Sequence, residues 1–375
     1  MKNGSQVFEL FGYPVDSWNA QAAENLSHCR CPFMASECDG GGNRYASGIN
    51  LARNKKLKKH FPDRTVVQAG VCSLQLKPGQ QPWIVCPRRL LNYRQSGLSS
   101  PRSAVRDRLQ SLAGLEKGKP YSVWSEVKLK SDVSVEGRTM LFDYTFDYVI
   151  AGSRRLSLAE AGRILGKTEE TVRKLLDANG YTIAFRDGEW YCDDFPSSPF
   201  VVVEVMTSST SGGNKAKRSQ IGQLFEDTVY RLAGEKNDAG GPGINYRQVW
   251  ARMVSQMLVK SQIAVKWGGK AFWVLQDLLA DYISKTTALN LDDFLAEHCD
   301  EVNVLSGGYG RNIDPHYRAG CFAEIDDVRL YAGPVSAGSG RKKSFSDIVK
   351  LGGVPEVSEL WRHLASKRPV AKIVI

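Results

Sequence analysis

The chain has 375 residues, 42% hydrophobic and 10% aromatic, which is enough for two or three domains with real cores. Its eight cysteines are too few for a disulfide-stapled scaffold, and its net charge of +10 favours a polyanion, with nucleic acid ahead of an anionic membrane. No apolar run approaches the roughly 20 residues that span a bilayer, and Met1 to Glu9 lacks a charged-then-apolar leader pattern. The expectation is a soluble, cytoplasmic protein with no membrane contact.

Residues 1–30 read as partly helical and lead into a cysteine-bearing module over residues 29–90. Cys31 and Cys38 lie in "CPFMASEC", Cys72 in "AGVCSL" and Cys86 in "WIVCPRR". Thiolates at these separations can close a tetrahedral site around zinc or iron. Four thiolates leave no open position, so the site is expected to be structural. Cys29 is an alternative ligand, while Cys192, Cys299 and Cys321 read as buried or idle thiols. Between the knuckles, "ARNKKLKKHFPDR" is either a solvated face or a phosphate contact through Lys55, Lys56, Lys58 and Lys59.

Residues 102–117 predict a helix with a glycine stop, followed by the β-rich runs "YSVWSEVKL", "VSVEG" and "TMLFDYTFDYVIAG". "FVVVEVMTSST" is a further strand, and its unbroken valines imply burial on both faces. Helices are predicted over 216–234, 246–265 and 271–298, with a closing helix near 355–366. The segment 152–195 interrupts this series. "SLAEAGRILGKTEETVRKLLDANG" reads as helix, turn at Gly166 and helix, with Ser157 and Glu160 as a capping box and Thr168 as a second cap. "YTIAFRDGEWYCDDF" then reads as a hairpin turning at Asp187-Gly188. The unit is either a plain helical hairpin or a winged DNA-binding insert, with Lys167, Arg173 and Lys174 facing the duplex.

Asp147 and Glu204 each sit in an otherwise apolar strand. A carboxylate there is costly unless it is paired or binds a cation. Two on adjacent strands suit Mg2+, which takes oxygen ligands and stabilises charge at a phosphorus centre. Glu126 in "VWSEVKL" is a candidate third acid. The following "TSSTSGGNKAKRSQ" is either a flexible loop or a phosphate-binding segment before a helix.

These stretches, together with "FELFGYPVD" and "QVWARMVSQMLVK", follow an order that resembles the NotI-type restriction endonucleases, a branch of the PD-(D/E)XK nucleases. The resemblance covers much of residues 7–260. It implies an α/β (α+β) fold: a nuclease core of mixed sheet flanked by helices and a rubredoxin-like four-cysteine module, to which this chain adds the inserted helix-turn-helix read above. It also implies homodimeric, Mg2+-dependent cleavage of double-stranded DNA at short palindromes, as a type II enzyme whose cognate DNA methyltransferase protects the host. Carried over by position, Cys31, Cys38, Cys72 and Cys86 hold iron or zinc, and Asp147 and Glu204 hold Mg2+, with Glu126 as a further acid. Arg- or Lys-to-guanine contacts would suit a GC-rich site.

Two departures from that pattern stand out. The polar residue expected two positions after Glu204 is Met206, whose thioether neither orients water nor carries charge. A group on the next segment is expected to substitute, with Lys215 first and Lys217 or Gln220 as alternatives, while Lys217 and Arg218 contact DNA. The second departure is the 152–195 insert itself. The expected division is residues 1–95 (metal module), 96–151 with 196–300 (nuclease core), 152–195 (insert) and 301–375 (C-terminal region). The rival expectation is a non-catalytic DNA-binding regulator on a decayed nuclease core, favoured by Met206.

Overall fold

The structure, a computed structural model, describes residues 5–34, 36–40, 48–92, 104–135, 137–210, 220–235, 241–286, 291–309, 325–333, 335 and 354–374. No helix among them is long and apolar enough to cross a membrane.

The N-terminal part builds a small antiparallel sheet in which Tyr13–Pro14, β1 (Gln6–Leu10), β2 (Val71–Gln75) and β3 (Trp83–Ile84) lie side by side. α1 (Ala20–Ser27) starts at Asn19, whose side chain accepts the Ala22 N–H. α2 (Pro87–Leu91) opens on a proline, which fits where the backbone N–H has no helical partner. This layer is locked by an ion pair that the sequence alone does not mark. Glu9 is fully buried and Arg89 almost so, with the guanidinium Nη2 2.9 Å from the carboxylate. Ser73 and Tyr309 also donate hydroxyl hydrogen bonds to Glu9, at 2.8 and 2.5 Å. A buried charge pair is tolerated when its remaining lone pairs are satisfied in this way.

α3 (Ala104–Ala113) ends before Gly114, which takes φ +72°, the left-handed conformation of a helix stop. Two long strands follow, β4 (Pro120–Val135) and β5 (Arg138–Ser157). The insert contributes α4 (Leu158–Leu165), α5 (Glu169–Ala178) and β6 (Ile183–Arg186), and the chain returns as β7 (Glu189–Met206). Next come α6 (Gln220–Leu232), α7 (Arg247–Lys266), β8 (Lys270–Gln276) and α8 (Asp277–Thr286). β9 (Val302–Tyr309), β10 (Ile325–Gly333), α9 (Val357–Ala365) and β11 (Ala371–Val374) complete the described elements.

Among the described residues the central sheet is mixed and eight-stranded, in the order β10-β9-β8-β7-β5-β4-β11, with β6 hydrogen-bonded to β7. β7–β8 and β8–β9 are parallel and the other pairs antiparallel. Helices cover both faces, giving an α+β fold. Val201 and Val203 pack on the face shared with α3 and the cysteine module, and Val202 packs on the opposite face with α7 and α9. Each buried valine contributes about 1.5–3 kcal/mol, which is why this run sits at the centre of the sheet.

The expected helix over 271–298 is corrected: Lys270–Gln276 is a strand, and α8 begins only at Asp277. "AFWVLQ" is buried along its whole length between β7 and β9. Tertiary burial decides such a short apolar run, because its periodicity fits either element.

The insert has the expected shape. Ser157 and Glu160 form the capping box, Gly166 ends α4 at φ +63°, and Asp187 and Gly188 turn the hairpin at φ +50° and +85°. Thr168 instead shares a hydroxyl hydrogen bond with Thr171 and caps no backbone N–H. The insert is not a separate bead. Val172 and Leu176 share one apolar cluster with Trp361 and Leu364 of α9, and Arg362 donates to the Ile164 carbonyl at 2.9 Å.

Candidate active site

Asp147 and Glu204 come together. Tyr148 pairs with Val203 in the antiparallel β5–β7 ladder, so the next residue on each strand faces the other. Beyond that pair the carboxylates replace ladder partners. The Asp147 N–H donates to Glu204 Oε1 at 3.3 Å, and the Val205 N–H donates to Asp147 Oδ2 at 3.0 Å. Asp147 is half-buried, while Glu204 is 2% exposed.

The cation expected near these acids arrives from a different helix. Lys260 of α7 donates to Glu204 Oε2 at 2.5 Å, with both side chains nearly sealed from solvent. Its ammonium lies 5.7 Å from the Phe146 ring centre and 6.0 Å from that of Trp273, a cation–π enclosure. Lys260 is thus the buried cation beside the acid pair, while Met206 packs against an apolar cluster at the end of β7. The three groups first suggested for that role do not supply an answer: Lys215 and Lys217, like Arg218, lie outside the described residues, and Gln220 opens α6. A sequence signal for Lys260 existed. Met253, Met257, Lys260 and Ala264 follow helical spacing, so the lysine interrupts an inward-facing stripe.

Burial first, then the Asp147 charge, pushes the Glu204 pKa up to about 8, with Lys260 pulling the other way. Burial thus favours the protonated form of Glu204, and a bound cation would compete with that proton. Two carboxylates of which one is half exposed are hard oxygen donors that fit Mg2+. When bound, such an ion would supply Lewis-acid chemistry.

Glu126 holds the β4 position opposite Asp147, since Val127 pairs with Phe146 and Ser125 with Tyr148. Its backbone is left-handed, at φ +52°. The two strands change face here together. Phe142 and Phe146 pack on the face of α7 and α9, as Val149 and Ala151 do, which puts even-numbered residues there before Asp147 and odd-numbered ones after it. On β4, Trp124 and then Val127 and Leu129 show the same one-residue slip around Glu126. The acids sit at this break in the alternation.

The four cysteines also converge. Cys31 lies on a short hairpin in which Arg30 and Cys31 pair with Glu37 and Ser36, and Cys38 follows it. Cys72 is in β2 and Cys86 precedes α2. All but Cys38 are buried in one cluster, and Cys38 packs against it. The Gly40 N–H donates to Cys38 Sγ at 3.4 Å, and backbone N–H groups of Phe33 and Arg89 serve Cys31 and Cys86. Such donors favour thiolates. Arg88 ties the halves together through Asp39 at 2.8 Å and the Glu37 carbonyl at 3.1 Å. Burial pushes the Cys31 thiol up to about 11 and Cys38 well above its ordinary value. A thiol–thiol hydrogen bond raises Cys72 and lowers Cys86.

Among the described residues, no group of three or more His, Cys, Asp or Glu side chains is arranged to hold a metal ion as it stands. The donor chemistry of four converging sulfurs with N–H donors nonetheless fits iron or zinc. Cys29, the alternative ligand, is buried beside Arg64 and Glu37 in a second cluster that Cys38 also borders, and its carbonyl accepts the Cys38 N–H at 2.8 Å. The module also braces the acid-bearing strand. Just past Glu204, the Thr207 hydroxyl donates to the Val85 carbonyl at 3.4 Å and the Ser208 N–H to Ile84 at 3.3 Å.

The basic residues expected at DNA fall into different settings. Lys167 is exposed, Lys174 pairs with Glu170 at 2.7 Å, and the Arg173 guanidinium lies 5.0 Å from the Trp190 ring centre. In the 52–64 stretch, Lys56 pairs with Glu235 and Lys58 donates to the Arg64 carbonyl. No protein-family model and no curated protein matches this chain.

Proposed function

We propose that this chain is a Mg2+-dependent endodeoxyribonuclease built on a PD-(D/E)XK core, acting as a type II restriction enzyme on double-stranded DNA. The observation that carries the reading is the buried Lys260 ammonium on Glu204, directly across the strand pair from Asp147. A mixed sheet flanked by helices, with both acids on its central antiparallel pair, supports the same core.

In this reading Asp147 and Glu204 hold the cation, and the Val205 N–H fixes the Asp147 carboxylate. Lys260 holds Glu204 by a charge-assisted hydrogen bond and sets a fixed positive charge in a low-dielectric wall, where it acts strongly on a developing phosphate charge. The four cysteines hold iron or zinc as a brace for the strand end. A homodimer cutting a short, GC-rich palindrome, one strand per subunit, suits such a site. A cognate DNA methyltransferase is the partner that such an enzyme requires in its host. The rival reading is a non-catalytic regulator, which draws on Met206; the Lys260 ammonium on Glu204 is the observation that favours the enzyme over it.

The test is incubation of the purified chain with unmodified plasmid and Mg2+ beside an Asp147→Asn control, followed by sequencing of the ends. Discrete fragments lost in the control are expected. DNA binding without cutting in Mg2+, Mn2+ or Co2+ would give the molecule to the regulator reading.

A further inference from the structure

Glu126 is held in a backbone conformation that a non-glycine residue rarely adopts, at φ +52° within a strand. Such a residue persists only where its surroundings fix it. The fixing group comes from the far end of the chain. Lys367 lies just past α9, and its Nζ donates to the carbonyls of both Ser125 and Glu126 at 2.8 Å. The same segment is pinned at two further points: Trp124 Nε1 donates to the Lys367 carbonyl at 3.3 Å, and the Val370 N–H to the Val123 carbonyl at 3.0 Å. β11 then adds to the edge of β4. Burial lowers the Lys367 pKa while the Glu126 charge opposes the shift, which places the carboxylate near the ammonium as well.

The clamp acts at one chemically important point. It falls where β4 switches its inward face, in the row that carries Asp147 and Glu204. Releasing it would let Glu126 relax to ordinary strand geometry. The alternation of Trp124 and Val127 on one apolar face would then fail, because a one-residue slip turns every following side chain over. The strand opposite Asp147 would lose its register.

We propose that Lys367 is a positioning residue for the acid site, holding the left-handed turn at Glu126 so that β4 stays in register against Asp147. The proposal rests on the nuclease reading, in which Asp147 and Glu204 bind a divalent cation. It gives the C-terminal segment a part in the site although it touches no substrate.

The test uses the full chain without DNA, with Mn2+ binding followed by electron paramagnetic resonance. Lys367→Met is expected to weaken Mn2+ binding at least fivefold and to speed amide exchange at residues 125–127. Lys367→Arg, which also offers two donors, is expected to bind within twofold of the parent. Asp147→Asn is expected to lose binding altogether. Mn2+ affinity unchanged in Lys367→Met but lost in Asp147→Asn overturns the positioning role and leaves the acid site standing. Unchanged affinity in Asp147→Asn overturns both. A glycine adopts positive φ freely, so if Lys367→Met does not fold, the Glu126→Gly background decides. There, adding Lys367→Met is expected to leave the melting temperature and the amide exchange at Ser125 unchanged, and a full-sized further loss overturns the proposal.

Discussion

Lys260 Nζ lies 2.5 Å from Glu204 Oε2, and the two residues belong to a helix and a strand 56 positions apart in the chain. This contact gives the acid pair a cation that its own strand, ending in Met206, does not carry.

If that contact is catalytic as well as structural, removing the charge while keeping the length should separate the two roles. Lys260→Met is expected to slow single-turnover cleavage by about 10²–10³-fold, the usual cost of losing one fixed electrostatic donor. At pH 9, where Glu204 is ionised in the parent, it should also cost up to about 3–5 kcal/mol of stability in urea, because the buried carboxylate loses its partner and must stay unpaired or take up a proton. At pH 6 the loss should be smaller. Adding Glu204→Gln should restore stability without restoring cleavage. A Lys260→Met protein that cuts at the parent rate would show that the lysine only packs.

The raised pKa of Glu204 sets a second expectation. Its folded value of about 8 lies above the ordinary 4.5, so the folded protein keeps a proton that the unfolded chain has released. The stability linked to this group is therefore full below pH 4.5 and is lost as pH rises through about 8. Glu204→Gln should flatten that loss. A cation competes with the same proton, so Mg2+ affinity should climb from pH 6 to 8 and level off above. Calorimetry in buffers of different ionisation heat should show proton release at pH 7 and none at pH 9. Equal release at both would assign the proton elsewhere.

For the cysteine module, each of Cys31→Ser, Cys38→Ser, Cys72→Ser and Cys86→Ser is expected to lower bound iron or zinc and the melting temperature. Cys29→Ser and Cys192→Ser should leave the metal content unchanged, because Cys29 is buried in a cluster that only Cys38 of the four borders, and Cys192 is buried within the insert. Binding should release protons, since the Cys31 and Cys38 thiols are pushed up by burial before metal arrives. Elemental analysis of the six variants measures this. Metal retained in all four of the first group would remove the four-sulfur site.

Several features were legible in the sequence because they rest on local chemistry. The capping box at Ser157, the turn at Gly166 and the Asp187-Gly188 hairpin each follow from one or two side chains and a backbone angle, whereas the helix expected over 102–117 stops earlier, at Ala113, with Gly114 and not Gly118 as its stop. The valine run signalled a central strand because nothing else buries both faces. The strand at Lys270–Gln276 was not legible, since a seven-residue apolar run fits a buried helix as well. The break in alternation at Asp147 and Glu126 was also hidden, because a strand pattern is read on the assumption of an unbroken period of two.

By itself the sequence determined the donor types: four soft sulfurs in two knuckles, two hard carboxylates in apolar strands, and a capped helical pair closed by a hairpin. These depend on neighbours a few residues away. Only the tertiary structure decided which distant groups complete them: Lys260 on Glu204, Arg89 on the buried Glu9, and Lys367 on the carbonyls flanking the Glu126 turn. The physical reason is that a buried charge or a strained backbone must be compensated, yet any element brought close by packing can supply the compensation.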